Sequence, residues 1–473
     1  MLMKNHVKDN TKATFAEKVG YGFGDMASSM FWKIFSYYLP FFYSNVFGLS
    51  LAHAGTLLLI TKLYDAVSDP VMGMIADRTQ TRWGKYRPYL LWCALPFAIC
   101  GVLTFSTPDA GYGFKLAYAY VTYILMMTAY TAINVPYGAM LGVLTPDSRE
   151  KTVFSSYRMF FAYGGSFIAL AIFEPLQKFF REMGTGVSAS VSWQYSMAVV
   201  GVICAVLFVL CFAMTRERVR INAPVSGDSS ILRDFRSLVS NGPWWILLGA
   251  AIGILLFNSI RGGAAAYYFK DVLGDGAIFT CGIYLAVGEV ANMLGVALAV
   301  PLSDRFGKKT SYMMSLLAAA VLSLFILFMP ATAAGMWTLL GLQILISVAT
   351  GVTLPLLWSM FADIADYSEY RNGTASTGLI FSSSSMAQKF GGAFGSALIL
   401  WALAGFGYDT SEAGVQTSSA IGGLKAMMSW IPAAGALLAA LVVAFYPLTS
   451  SKMAEISAAL AERRRSSEER KND

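Results

Sequence analysis

The chain has 473 residues, of which 56% are hydrophobic, 14% aromatic and only 13% charged, with a mean hydropathy of +0.55 and a net charge of +7. Soluble domains carry about 25% charged residues, so the side chains needed to solvate several soluble domains are missing and a polytopic membrane protein is expected. The excess Lys and Arg sit in short hydrophilic breaks between apolar runs, as in cytoplasmic loops, which argues against a nucleic-acid partner.

In chain order, residues 1–19 read as a polar cytoplasmic arm holding Lys4, Lys8, Lys12 and Lys18, with no apolar h-region of a cleaved signal peptide. Apolar runs long enough to span a bilayer follow at about 20–47, 53–76, 88–107, 114–144, 154–178 and 193–214. They resume at about 243–270, 277–302, 310–330, 335–362, 376–406 and 424–447. The expected fold class is therefore all-α, with about twelve transmembrane helices. The polar interval 215–242 is a cytoplasmic linker between two six-helix halves, 20–214 and 243–447. Arg78, Arg82, Lys85, Arg87, Arg149, Lys151, Arg216, Arg218, Arg220, Arg305, Lys308 and Lys309 load one set of breaks. By the positive-inside rule that side is cytoplasmic and both termini lie on it. Residues 448–473 read as an amphipathic tail helix with Met453, Ile456 and Leu460 on one stripe and an Arg run beyond. All five cysteines lie in apolar runs, without a CxxC pair, and read as small core residues.

An internal repeat links the halves. After the second run stands Gly73-Met-Ile-Ala-Asp77-Arg78 with Arg82, Gly84, Lys85 and Arg87. After the eighth stands Pro301-Leu-Ser-Asp304-Arg305-Phe-Gly307-Lys308-Lys309, and Pro136 and Pro355 echo each other in runs four and ten. Repeated halves of six helices around a central cavity are a transporter architecture, and the loops resemble the cytoplasmic signature of the major facilitator superfamily.

The sequence holds no GxxxxGK[ST] loop, so nothing points to an ATP-driven pump. His6 and His53 are the only histidines and fall outside the apolar cores, which argues against a His-based or zinc enzyme. Transport driven by an ion gradient needs ionisable groups within the membrane, where each is costly without a partner. Run two contains Asp65-Ala-Val-Ser-Asp69-Pro70, which puts two carboxylates one turn apart on one face. They must share a cation or bind a proton, and Ser68 and Thr131 are candidates for further hard-oxygen ligands. Asp25, Ser29 and Lys33 share a stripe of run one, while Arg158, Arg261 and Lys389 add cations in runs five, seven and eleven. Arg158 and Lys389 read as substrate donors or as partners of the acid pair. Tyr130, Asn134, Tyr137 and Trp358 supply hydrogen-bonding and stacking groups suited to a sugar.

The chain resembles the glycoside–pentoside–hexuronide:cation symporter family, which includes the melibiose permeases. The resemblance rests on YGFGD at Tyr21–Asp25, TKLYDAVSDPVMGMIADRTQTRWGKYRPY at Thr61–Tyr89 and YTAINVPYGAM at Tyr130–Met140. In the second half it rests on RGGAAAYYF at Arg261–Phe269, FADIADYSEY at Phe361–Tyr370 and GLIFSSSSMAQKFGGAFG at Gly378–Gly395. It implies that Asp65 and Asp69 are the two coupling-cation carboxylates, the pair that would ligate a metal cation, with Thr131 a hydroxyl near them. Ser68 stands where melibiose permeases have an Asn that helps bind sodium. Arg158 and Lys389 match cavity residues near the sugar and cation. Ser29 and Asn134 stand where melibiose permeases carry the two carboxylates that grip galactosyl hydroxyls, and Gly138 where they have a Trp.

The expectation is a monomeric symporter of the bacterial inner membrane, not an enzyme and without a cofactor, importing a small glycoside coupled to Na+ or H+. Substrate would touch Ser29, Lys33, Tyr130, Asn134, Arg158, Trp358 and Lys389. The cation would sit at Asp65, Asp69, Ser68 and Thr131. Arg78, Arg82, Lys85 and Asp147 are expected to gate against Asp363, Asp366 and Glu369. With a cation on Asp65 and Asp69, Lys33, Arg158, Arg261 and Lys389 would leave the pocket positive and suit an anionic hexuronide. The preferred reading is a neutral pentoside or hexoside, because the resemblance makes Arg261 and Lys389 ordinary for the family, members that take neutral xylosides included, and Lys33 can snorkel outward. Alternatives of other classes are a lysolipid flippase, which the Ser382–Ser385 run opposes, and an uncoupled facilitator.

Overall fold

The computed structural model describes residues 13–145, 148–183, 188–218, 239–372, 377–411 and 415–456, together with 458–460 and 462. Expectations that fall on the first twelve residues, on most of the linker, on Asp147 and on the Arg run of the tail lie outside these residues, as do those on the side chains of Ser382–Ser385.

Helices account for the described fold, and no strand occurs among the described residues. In the first half they are α1 (Phe15–Tyr37), α2 (Leu51–Arg78), α3 (Arg87–Trp92), α4 (Ala94–Thr104), α5 (Tyr112–Leu144), α6 (Ser148–Glu182) and α7 (Ala189–Met214). The second half holds α8 (Gly242–Tyr268), α9 (Cys281–Phe306), α10 (Lys308–Phe325), α11 (Ala333–Asn372), α12 (Thr377–Gly405), α13 (Ser418–Met428) and α14 (Trp430–Ala444). α3 and α4 form one pass broken at Cys93, and α13 and α14 form another broken at Ser429. Twelve passes result among the described residues.

Eight passes are both long and apolar enough to cross a membrane on composition alone. α1 and α2 fall short because they carry the charged residues that matter: Asp25 and Lys33 in one, Lys62, Asp65 and Asp69 in the other. The outward-facing side chains are what lipid requires, with Val202, Val206, Leu438 and Leu441 all more than half exposed. In water such a surface would be an aggregation liability; in hydrocarbon it is solvated.

Local chemistry fixes where the helices start. Ser188, Asn241, Thr280 and Thr417 each place a side-chain oxygen on a backbone N–H three residues on, starting α7, α8, α9 and α13. Proline lies inside α2, α5, α6, α9 and α11, a frequency normal for membrane helices, where neighbouring groups satisfy the freed carbonyls.

Packing divides the chain into two compact units. One comprises Met1–Phe35 and Tyr64–Val225, the other Ser36–Leu63 and Ser226–Asp473. In the first, α4 packs on α5 and α7, and α6 on α7. Its core is aromatic: Phe31, Phe97, Phe105, Phe208 and Trp193 interleave, with Phe105 and Trp193 stacked at 6.0 Å. In the second, α9 packs along α11, α8 along α12 and α14, and α10 along α11 and α14. α9 and α11 meet at backbone distance, since a Cβ on Gly295 would lie 2.2 Å from the Val348 carbonyl oxygen and one on Gly351 would lie 2.4 Å from that of Asn292. Small residues at such crossings let membrane helices gain dispersion contacts that larger side chains would prevent.

The second unit also contains the segment 36–63. Its Ser44 hydroxyl is 2.7 Å from the Tyr267 hydroxyl, and Asn45 Nδ2 donates to the Tyr408 hydroxyl at 3.1 Å, which itself donates to Asp271.

The repeated loops adopt related conformations. Gly84 has φ +119 and Gly307 φ +79, both in the left-handed region that favours glycine. In the first loop, the Glu217 carboxylate accepts the backbone N–H groups of Lys85, Tyr86 and Arg87 at 2.8, 2.8 and 2.9 Å. The Arg87 N–H is the first orphan donor of α3 and the other two lie just before it, at a helix start where a negative charge is stabilising. Arg87 reaches back to the Phe212 carbonyl at the end of α7. In the second loop, Lys308 Nζ donates to both oxygens of Asp363 at 2.7 and 2.8 Å, and Lys309 Nζ donates to the carbonyls of Ala444 and Tyr446 after α14.

Candidate functional site

The acid pair of α2 lies on one face, as its four-residue spacing requires. Asp65 is fully buried and Asp69 half-buried. Thr131, near the middle of α5, faces both: its hydroxyl is 2.8 Å from Asp65 Oδ1 and 3.0 Å from Asp69 Oδ1. Ser68 donates to its own helix at the Asp65 carbonyl and lies 3.3 Å from the Thr131 hydroxyl. All four residues expected at the cation site are therefore brought together.

One consequence follows from proton counting. A threonine hydroxyl carries a single donor, so it cannot donate to two ionised carboxylates at once. The second contact is satisfied if one carboxyl is protonated and donates to the Thr131 oxygen, or if a cation bridges the oxygens. Each solution adds one positive charge to a site that two bare carboxylates would make repulsive. The oxygen-only set suits a hard monovalent cation or a proton. Lys62, three residues before Asp65 in α2, is also buried, and sequence reading passed over it.

The substrate residues expected in the first half have more specific surroundings than their types suggest. Arg158 Nε donates to Asp25 Oδ2 at 2.7 Å, and its guanidinium sits 5.2 Å from the Tyr137 ring centroid. Tyr137 donates in turn to the Tyr21 carbonyl at 2.7 Å and stacks on the Tyr21 ring at 4.8 Å. The charge of Arg158 is thus compensated within its own half. Asn134 accepts from the Ser28 hydroxyl at 2.6 Å and donates to the Tyr130 carbonyl, which ties α5 to α1. Tyr130 lies between Trp32 and Phe97, with ring centroids at 5.7 and 6.3 Å. Ser29 and Lys33 are half-buried on α1. At Gly138 a Cβ would meet nothing within 4 Å, so there is open space at that position.

In the second half Trp358 is half-buried, 6.4 Å from Phe361, and Lys389 is half-buried on α12. Of the residues expected to gate, Arg78 and Arg82 are exposed, Lys85 and Asp366 half-buried, and Asp363 is held by Lys308. At the start of α1, Arg218 pairs with Glu17 at 2.8 Å. Burial pushes the Glu17 carboxyl up, but Arg218 and the Thr14 backbone and hydroxyl outweigh it and hold the group below its usual value.

Sequence reading also missed a polar cluster in the second half. Arg261 on α8 is 7% exposed and donates to the Tyr284 hydroxyl at 3.0 Å and to Gln343 Oε1. Glu289 on α9 is 3% exposed and lines the same cavity. A carboxylate in the middle of run eight was the available signal.

Twelve helical passes among the described residues, a loop repeated in both halves and a buried acid pair are the features of a membrane transporter, not an enzyme. The family described as MFS/sugar transport protein matches residues 20–450, and this chain belongs to it, among the glycoside–pentoside–hexuronide type. It is 36% identical to the inner membrane symporter YicJ of Escherichia coli K12, over 95% of each chain. To the isoprimeverose transporter of Lactiplantibacillus pentosus it is 33% identical, over 91% of this chain and 88% of that one. A crystal structure of a D-xylose–proton symporter shares the fold, with a TM-score of 0.62 and 16% identity over 92% of this chain and 98% of that one.

Proposed function

We propose that this protein imports a neutral glycoside or small sugar across the bacterial inner membrane, with its termini in the cytoplasm, coupled to one Na+ or one H+ at Asp65 and Asp69. The observation that carries the reading is the Thr131 hydroxyl lying within hydrogen-bond distance of both carboxylates. Binding of one cation removes the repulsion and fixes α2 against α5, which gives the ion a differential affinity for the ordered state. Coupling then requires about 1–3 kcal/mol of reciprocal free energy between ion and sugar. The names of its relatives, a symporter and an isoprimeverose transporter, support the substrate class.

Neutrality of the substrate is supported by the Arg158–Asp25 pair. A guanidinium already neutralised at 2.7 Å has little attraction left for a uronate, which weakens the case that the cationic residues select an acidic sugar. Rocking of the two halves supplies alternating access, and the monomer is the transporting unit.

Reconstitution in proteoliposomes tests the reading. An inward Na+ gradient or an inward H+ gradient, imposed singly, should drive accumulation of labelled methyl xyloside in the wild type. Asp65→Asn should retain counterflow and lose accumulation. Accumulation by Asp65→Asn at the wild-type level would remove the acid pair from the coupling mechanism.

A further inference from the structure

The cavity of the second half is built from the chemistry that apolar packing avoids. Arg261, Glu289, Gln343, Ser347, Thr350 and Asn292 line it, and the first five are each more than nine-tenths buried. Burying this many polar groups within a membrane bundle is costly unless hydrogen bonds repay it. Only part of that bonding is internal. Arg261 spends one terminal nitrogen on Tyr284 and Gln343, while its Nε, also buried, has no acceptor among the described residues. Thr350 donates to the Asn292 side-chain oxygen at 3.2 Å.

Two further features point to a ligand. The first is size: the cavity is about 30 Å3 and partly open, with room for about two water-sized groups. The second is the mixture of groups. One guanidinium and one carboxylate give a formal charge of zero, and the amides and hydroxyls both donate and accept. An anion site would present donors alone. A sugar hydroxyl both donates and accepts, and two neighbouring hydroxyls match both the volume and the mixed lining.

Gly288 secures the arrangement. A Cβ there would lie 2.4 Å from Gln343 Nε2 and 3.0 Å from Ser347 Oγ, so glycine alone lets these side chains lie against α9.

We propose that the cavity between α8, α9 and α11 is a binding subsite for two adjacent hydroxyls at one edge of an uncharged sugar, with Arg261, Glu289 and Gln343 as the residues that select them. The assignment rests on the sugar-carrier reading above and specifies which half reads the hydroxyls and by what chemistry.

The test uses the purified full chain in proteoliposomes, with counterflow of methyl xyloside, its monodeoxy analogues and methyl glucuronide. In the wild type, one or two of the deoxy analogues should bind at least about tenfold more weakly than the parent, because a buried polar lining is left unpaired. Gln343→Ala and Glu289→Gln should weaken the parent by a similar factor and leave those same analogues unchanged, since the contact is already lost. Gly288→Ala, which displaces Gln343 without removing a polar group, should reproduce the pattern if a direct variant fails to fold. Equal weakening of parent and all analogues, or no weakening, overturns the subsite while leaving the sugar reading intact. A wild-type preference for methyl glucuronide overturns the uncharged class. Wild-type protein that exchanges no sugar of the panel overturns the carrier reading and this assignment with it.

Discussion

The membrane cores of the two halves solve the problem of buried charge in opposite ways. In the first, two carboxylates one turn apart share a single threonine hydroxyl, so like charges lie side by side. In the second, one carboxylate and one guanidinium line a common cavity with amides and hydroxyls around them. A region of like charges responds to an ion; a region balanced in charge responds to shape and hydrogen bonding. The proposed division of labour between ion and sugar rests on that difference.

The sharpest break of the comparison is neutralisation. Asp69→Asn should reduce uphill accumulation from its gradient-driven level to the passive ratio of about one, because an amide cannot cycle a proton or balance a cation. Glu289→Gln should instead raise the KM for sugar while the gradient still drives accumulation. Accumulation lost equally in both variants would erase the distinction.

Next in size is the compensated pair of the first half. Asp25→Asn leaves the Arg158 guanidinium without its carboxylate and should cost about 2–3 kcal/mol, at the lower end for a buried pair because Arg158 is partly exposed. The loss is read as a fall in melting temperature in detergent. The double variant Asp25→Asn with Arg158→Gln should recover most of it, and a double variant no better than the single would show that the pair does not act as a unit.

The repeated loops sharpen the comparison further, since both contain a left-handed glycine but are anchored by opposite charges. Gly84→Ala forces a Cβ to within 2.5 Å of the Glu217 carboxylate at φ +119 and should cost about 1–3 kcal/mol. Thermal melting measures it, and Glu217→Ala in the same background should reduce the penalty by removing the clash.

The smallest expected effect concerns pH. Glu17 has its folded value below the ordinary 4.5, so its contribution is present above the unfolded value and is lost as pH falls through the folded one. The stability advantage of the wild type over Glu17→Gln should therefore be full at pH 6 and shrink below about pH 4.5. Melting curves across that range check it; an advantage that grows on acidification would reverse the sign.

Much of this was legible in the sequence because it depends on local spacing. The 65/69 interval dictates a shared face whatever the tertiary packing, and the glycine loops announce themselves by repetition. Long-range pairing was not legible. Arg158 and Asp25 are 133 residues apart, and nothing in either run says that they meet. Glu289 and Gln343 were overlooked for a related reason: each is a single polar residue in an apolar run, and their significance arises only when α8, α9 and α11 bring them to one cavity. Hydropathy likewise undercounts α1 and α2, since the residues that give these passes their chemistry dilute the signal that marks them as membrane-crossing.

The pairing of Glu17 with Arg218, and of Glu217 with the loop before α3, bears on how the protein is made. Every partner in these contacts lies within the first 218 residues, so this end of the first half can be sealed before the second half is complete. Segment 36–63 differs: Ser44 and Asn45 find their partners at Tyr267 and Tyr408, translated some 220 and 360 residues later. Domains fold as units in order of synthesis, and α1 and α2 are therefore finished first at the ends that carry Glu17 and Arg78, and at their other ends only when translation is nearly over.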